Sequence, residues 1–253
     1  MIMLSRDKIL KRVAEYFDDV EVSVFDSIDS TNSYAKGEFN GSPLIVLADT
    51  QTGGRGRLGR SFFSPSGTGL YMSIALKLPL AADTLTVIAA VAVCRAIGRF
   101  SDKKTEIKWV NDIFCGGKKV CGILCESISV TDGRADSAVI GIGINLSTDE
   151  FPDEISSVAG SLGLDKIDRN ELAAQIYIEL MYVLNMGKES VLHEYETKLF
   201  ILGKEVSFVK NGISYKGTAT GINENGNLLI DVNGEIVALS SGEISLVSEN
   251  YIR

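Results

Sequence analysis

Residues 51–60, Gln-Thr-Gly-Gly-Arg-Gly-Arg-Leu-Gly-Arg, thread three arginines between four glycines at the end of an apolar run. Glycine lets the backbone approach a ligand closely and take up positive φ. Arginine presents a fixed fork of donors that matches a phosphate or a carboxylate. Together they read as a loop shaped around an anion. The same residues would also suit a solvated basic loop, or an arginine–glycine segment that binds nucleic acid. No Gly-Lys-Ser/Thr follows, so the stretch is not a P-loop. No clear helix opens directly behind it, so it is not a dinucleotide fingerprint.

Two further pieces carry chemistry. Lys108-Trp109-Val110-Asn111-Asp112 leads through Gly116-Gly117 to Lys118, Lys119 and Gly122. Gly141-Ile142-Gly143-Ile144-Asn145-Leu146 bares one face of a strand, so that a flat ligand can lie against backbone. Each piece has a plainer reading. Trp109 suits a core as well as a ligand, Asn111-Asp112 suits a turn, and Lys118 and Lys119 suit a solvated hairpin. Ser30-Thr31-Asn32 reads by itself as a helix cap.

The elements that must position these residues follow from periodicity. Residues 5–17 space Ile9, Leu10, Val13 and Phe17 like an amphipathic helix, and Val20 to Phe25 alternates like a strand. A short helix is expected from Asn32 to about Glu38. Residues 44–48 and 69–78 are β-rich runs flanking the glycine–arginine loop, and 84–98 is apolar nearly all round, as in a buried helix. Residues 105–115 and 119–130 read as two strands joined by a Gly-Gly hairpin. Residues 136–146 form a buried strand reached through Thr131-Asp132-Gly133. The polar stretch 147–161 reads as a mobile loop over a site. Asp168-Arg169-Asn170-Glu171 resembles a capping box ahead of a helix carrying Leu172, Ile176, Leu180, Val183 and Leu184. From about residue 200, Asn-Gly pairs at 211–212, 225–226 and 233–234 separate four or five short runs, the grammar of a small antiparallel barrel. The boundary between a large and a small domain falls near Leu199–Gly203, giving 1–199 and 200–253.

Composition narrows the function. With 253 residues and 45% hydrophobic content the chain can bury a sizeable core. A net charge of −8 argues against a general nucleic-acid binder, so a local basic loop suits a small anionic ligand. The N-terminal residues lack a signal-peptide core and no run reaches the length of a membrane span, which points to the cytoplasm. Cys94, Cys115, Cys121 and Cys125 contain no Cys-x-x-Cys pair and read as reduced, buried small hydrophobes. A single histidine, His193, makes Ser–His or Cys–His catalysis a poor fit.

Taken in order, Ser30-Thr31-Asn32, residues 51–60, Lys108–Asp112, Lys119-Val120-Cys121-Gly122-Ile123-Leu124 and Gly143-Ile144-Asn145-Leu146 resemble the biotin–protein ligases, also called biotin–[acetyl-CoA-carboxylase] ligases. The resemblance covers nearly the whole chain. It implies an α+β fold: a catalytic domain with a mixed, mainly antiparallel sheet and packed helices, of the class II aminoacyl-tRNA synthetase/biotin ligase type, plus a small C-terminal SH3-like β-barrel. It implies a two-step reaction, in which biotin and ATP, with Mg2+, form biotinyl-5′-AMP and a specific lysine of a biotin carboxyl carrier protein then takes the biotinyl group.

By the same resemblance, Ser30, Thr31, Asn32, Gln51, Gly54, Arg55, Gly56, Arg57, Phe62, Lys119, Gly122 and Gly141 serve biotin, with Gly122 and Gly141 flooring the pocket. Arg57, Arg60, Asn111, Lys119 and Asn145 serve the nucleotide. Lys119, Arg55 and Arg57 are the cations of catalysis, and Asp112 orients or deprotonates the incoming lysine. No protein ligand for magnesium is visible, and no metal site is expected. Val110 stands where the family usually has proline. Some bacterial relatives carry an N-terminal helix-turn-helix domain; with Ser30 so near the first residue, a ligase without repressor function or DNA partner is expected. Family members often pair through a sheet edge, so a homodimer is a candidate. The alternatives weighed are a lipoate ligase or octanoyl transferase, an inactive biotin or biotinyl-AMP sensor, and an RNA-binding module.

Overall fold

The computed structural model describes residues 3–247 apart from 79, 132–133, 211, 241 and 243. The expected turn at Asp132-Gly133 and Asn211 of the first Asn-Gly pair lie outside the described residues.

One seven-stranded sheet forms the frame, in the order β1-β2-β3-β7-β6-β5-β4. Its strands are β1 (Glu21–Ile28), β2 (Leu44–Gln51), β3 (Gly69–Leu76), β4 (Thr105–Lys108), β5 (Asp112–Cys115), β6 (Lys118–Thr131) and β7 (Arg134–Asn145). Only β1 and β2 pair in parallel, joined through α2 (Thr31–Glu38); the other pairings are antiparallel. The expectation of a mixed, mainly antiparallel sheet holds.

Side-chain alternation splits the sheet into two unlike faces. On β2, Ile45 and Leu47 enter a large core, while Leu44 and Val46 join a small cluster with Ala35 of α2. On β7, Ile140, Ile142 and Ile144 enter the large core, which leaves Gly141 and Gly143 on the α2 side. Covering the large core are α1 (Arg6–Val13), α3 (Ala82–Phe100) and α5 (Arg169–Leu184), with Leu85, Ile97, Leu172, Ile176 and Leu180 fully buried. Each such side chain contributes roughly 1.5–3 kcal/mol by leaving water. The bulk of the hydrophobic effect therefore acts on one face, and the other is free to carry polar and glycine residues.

Three expectations need correction. Residues 105–115 are not one strand: the chain reverses at 109–111, where the Trp109–Val110 peptide is cis, and β4 folds back antiparallel on β5. Trp109 is 4% exposed and its indole N–H donates to the Gly226 carbonyl at 3.0 Å, so it belongs to the core. The stretch 147–161 is not irregular throughout. It contains the one-turn helix α4 (Asp153–Ser156), and the Lys119 N–H donates to Val158 O while the Gly160 N–H donates to Lys119 O, both at 2.9 Å. Third, Cys94 and Cys121 are buried but Cys115 and Cys125 are only half-buried; all four are free. Burial pushes the Cys94 thiol up to about 11.

The hairpin reading at Gly116-Gly117 holds: their φ values of 58° and 77° are those of a type I′ turn, which suits glycine. The helix α6 (Lys188–Thr197) had no forecast, because only Val191 and Tyr195 are buried along it and the stripe is too thin to read. Beyond it, β8 (Glu205–Lys210), β9 (Ile213–Ile222), β10 (Leu228–Val232), β11 (Glu235–Leu239) and β12 (Ile244–Leu246) form an antiparallel sheet ordered β11-β10-β9-β8-β12. Val206, Phe208, Leu228 and Ile230 of this sheet join the large core.

At the N-terminus of α5, Asp168 accepts from the Asn170 N–H at 2.9 Å, but Glu171 turns to Arg12 instead of closing a capping box. Arg169, 3% exposed, reaches Asp49 at 2.6 Å. Burial raises the Asp49 carboxyl, but hydrogen bonds from Ser66 and Arg169, the Arg169 charge and the Gly67 N–H outweigh it and hold the group below its ordinary value. Its stabilising effect is therefore present above about pH 4 and is lost as pH falls through the lowered folded value. Asp49→Ala is expected to cost about 3 kcal/mol by taking the carboxylate away from a buried guanidinium. Thermal melts from neutral to acid pH check both: the variant starts lower and loses part of the wild-type acid dependence.

Candidate functional site

The site stands on the sheet face away from the large core. The Ser30 hydroxyl caps α2 by accepting from the Ser33 N–H at 3.4 Å. This matches the plain capping reading. Thr31 and Asn32 do more. The Thr31 N–H and hydroxyl both donate to Gln51 Oε1, at 2.9 and 3.1 Å, and Gln51 Nε2 donates to Ser64 Oγ at 3.1 Å. The Ser73 hydroxyl lies 2.6 Å from Asn32 Oδ1 and 2.8 Å from Thr31 Oγ1. Asn32 Nδ2 donates to Leu124 O and to Glu126 Oε2, at 3.3 and 2.9 Å. The Asn32 amide nitrogen is thus fully engaged by protein partners, and its oxygen accepts from Ser73. Above Gly141 lies this amide: a Cβ there would sit 2.8 Å from Asn32 Cγ, so the space is already filled. Gly141→Ala is expected to push Asn32 out of register and cost about 1–3 kcal/mol, read as a lowered Tm.

The glycine–arginine loop folds back on itself. The Phe62 N–H donates to Gly54 O at 2.9 Å and the Gly56 N–H to Arg60 O at 2.7 Å, around a 3-10 turn at Arg57–Gly59. Gly54 is confined: a Cβ would meet Phe62 O at 2.5 Å and Ser64 Oγ at 2.8 Å. Phe62 then lays its ring over the bare strand positions. A Cβ at Gly143 would lie 2.5 Å from the ring, and one at Gly122 would lie 3.2 Å from it and 3.5 Å from Lys119 Cε.

Two polar pairs join the loop, β5 and β6, the first of them beside the ring at Gly122. Lys119 Nζ lies 2.7 Å from Asp112 Oδ1, both side chains less than one third exposed. Arg57 Nη1 donates to Asn111 Oδ1 at 3.0 Å, and Asn111 Nδ2 donates to Ile123 O at 3.0 Å. The reversal at 109–111 makes this possible, because it brings Asn111 and Asp112 back along β6. The Tyr195 hydroxyl donates to Val110 O at 2.8 Å and clamps the turn from behind.

Asn145 is held separately. Its Nδ2 donates to Gly160 O at 3.0 Å, and its Oδ1 is buried with no hydrogen-bond partner. Gly160 also lines a cavity of about 630 Å³ with Lys118, Thr148, Asp149, Phe151 and Ser156. Asn145 itself does not line that cavity; its orphaned buried acceptor is an exception to the usual pairing of buried polar groups.

Comparison with known proteins fits this geometry. Residues 24–145 match the model of the biotin/lipoate A/B protein ligase family, and residues 201–247 match that of the biotin protein ligase C-terminal domain. The bifunctional ligase/repressor BirA of Escherichia coli is 32% identical over 94% of this chain and 78% of that protein. The chain belongs to the biotin protein ligase family.

The bifunctional ligase/repressor BirA of Bacillus subtilis is 37% identical over 80% of this chain, which spans 66% of that protein's length. A solved biotin protein ligase from Aquifex aeolicus, in complex with biotin and ATP, superposes with a TM-score of 0.76. It is 32% identical, covering 91% of this chain and 99% of that one. Within the family face, the structure brings Thr31, Asn32, Gln51, Gly54, Arg55 and Gly141 into one network, and Arg57, Asn111, Asp112, Lys119, Phe62 and Gly122 into another. Ser30 serves as a cap, and Arg60 is exposed at the end of the loop. The sequence reading missed Ser73, Ser64, Lys36 and Glu126. Ser73 had a signal, as the polar residue inside the wholly buried β3. Glu126 had one too, ending the apolar run of β6.

Proposed function

We propose that the chain is an ATP-dependent biotin–[acetyl-CoA-carboxylase] ligase. It joins biotin to AMP and then passes the biotinyl group to a lysine of a biotin carboxyl carrier protein. The observation that carries the reading is the Lys119–Asp112 pair beside the Phe62 ring at Gly122, with Arg57 tied to Asn111 and the Thr31–Gln51–Asn32 network on the same sheet.

In the first step a carboxylate oxygen of biotin attacks the α-phosphorus of ATP, and the bond to the β-phosphate oxygen breaks, releasing pyrophosphate. Both reactants are anions, so the face must offset their repulsion and hold them in line. Lys119 is suited to stand between carboxylate and phosphate, with Arg55 and Arg57 wrapping them. Asn111 steers Arg57 through its side-chain carbonyl. The orphaned Asn145 Oδ1 is suited to accept from the adenine amino group. Magnesium belongs to the ATP substrate, held by phosphate oxygens and water. In the second step the acceptor amine attacks the acyl carbon, AMP leaves, and Asp112 takes or directs the amine proton.

The net charge of −8 disfavours a general nucleic-acid binder and supports a ligase reading without the repressor activity named for the bacterial relatives. Operator-like DNA is expected to give no shift in a gel.

Pyrophosphate release with ATP and magnesium, with biotin or lipoate supplied separately, tests the proposal. Release that depends on biotin is expected. Release with lipoate alone would reassign the acyl group, and biotin binding without release would mark a sensor.

A further inference from the structure

A half-buried anion sits in a face that must receive anions. Glu126, with its side chain 17% exposed, gathers three donors from three parts of the chain. Its Oε2 accepts from Asn32 Nδ2 at 2.9 Å. Its Oε1 accepts from Lys36 Nζ of α2 at 2.8 Å and from Arg55 Nη2 of the glycine–arginine loop at 3.2 Å. Neither the family resemblance nor the reaction assigns it a part. We propose that Glu126 is a positioning residue, which holds Arg55 and Asn32 in the arrangement that receives biotin; this rests on the biotin reading above.

The argument is one of polarity. All three partners are donors, and they approach both oxygens of one side chain. Only a carboxylate presents acceptors on both sides. A glutamine of the same shape must turn its NH2 either toward Asn32 Nδ2 or toward the two cations, and each choice sets donor against donor. The consequence reaches further at Asn32, where Oδ1 faces the Ser73 hydroxyl and Nδ2 faces Leu124 O as well. Loss of the Glu126 acceptor removes the shorter of the two contacts on Nδ2 and weakens the hold on that amide above Gly141.

Charge balance explains why the anion is tolerated. Burial raises the Glu126 carboxyl, but hydrogen bonds from Lys36 and Asn32 and the charges of Lys36 and Arg55 outweigh it, so the group stays ionised. One carboxylate against two cations leaves the cluster net positive, and an incoming carboxylate is still attracted. Lys36 supplies the second positive charge, and Arg55 is the cation that Glu126 orders.

Calorimetry of biotin binding, followed by steady-state pyrophosphate release, tests the role. Glu126→Gln is expected to weaken biotin binding about tenfold or more, the loss typical of a hydrogen bond to a charged group. At saturating biotin its kcat should fall by clearly less than its biotin affinity, and its KM for ATP should stay within about threefold of wild type. Lys36→Met/Glu126→Gln removes the stranded ammonium and protects against misfolding. It should still bind biotin about tenfold more weakly, because one amide oxygen cannot serve Arg55 and Asn32 together.

Wild-type biotin affinity in either folded variant would overturn the proposal. So would a fall in kcat at saturating biotin as large as the loss of biotin affinity or larger, which would place Glu126 in the chemistry. Absence of biotin binding by the wild-type protein would instead overturn the biotin reading, and this inference with it.

Discussion

Lys119→Ala is expected to lower biotin-dependent pyrophosphate release by about 10²–10³-fold in kcat, with the dissociation constant for biotin within about threefold of wild type. The ammonium lies 2.7 Å from Asp112 Oδ1, and its stem crosses Gly122 beside the Phe62 ring. In the resting protein one charge offsets the other. When biotin carboxylate and α-phosphate meet, negative charge builds on the phosphorus oxygens, and a cation is worth more there than in the ground state. Biotin alone brings one carboxylate and a larger neutral ring system, so its binding depends less on Lys119. Stopped-flow binding and single-turnover adenylation separate the two quantities. Equal loss in both would mean that Lys119 only grips the substrate, and the assignment would fail. Lys119→Arg is a useful control, since it keeps the charge but not the compact ammonium.

The frame was legible in the sequence where one physical signal dominated. Gly141 and Gly143 alternate with Ile140, Ile142 and Ile144, so a single strand announced both a core face and a bare face. Gly116-Gly117 announced its hairpin because positive φ at two successive residues suits glycine. The reversal at 109–111 was legible only in part: Asn111-Asp112 suited a turn, but Ile107, Trp109, Val110 and Ile113 are all buried and read as one continuous apolar strand. The site was legible as a set of residue types but not as a set of pairings. Nothing in the spacing shows that Asn32 spends its amide on Glu126 and Ser73, since those partners lie 94 and 41 residues away. Nor does it show that Tyr195 of α6 clamps the Val110 carbonyl across 85 residues. Pairings of that range follow from strand order, and strand order is a property of the whole sheet.

Asp112→Asn is expected to divide the two half-reactions. Transfer from biotinyl-5′-AMP to the acceptor lysine should fall about 10²–10⁴-fold, the usual range for a lost general base. Adenylation should fall no more than about tenfold. The asymmetry follows from what each step asks of the carboxylate. In adenylation the attacking carboxylate is already ionised, so no base is needed, and Asp112 serves only to steady Lys119; an asparagine carbonyl can still accept from the ammonium at that distance. In transfer the nucleophile is an amine that is protonated at neutral pH, and a proton must leave it before or during attack. The Asp112 side chain is about one fifth exposed, so an arriving amine can reach it. An amide there can orient the amine but cannot carry its proton. Single-turnover transfer from preformed adenylate, followed against pH, reads this directly: the variant should recover as rising pH deprotonates the lysine in solution. If the variant instead lost adenylation and transfer to the same degree, with no recovery at high pH, Asp112 would act only through its ion pair with Lys119. The proton of the second step would then leave through water.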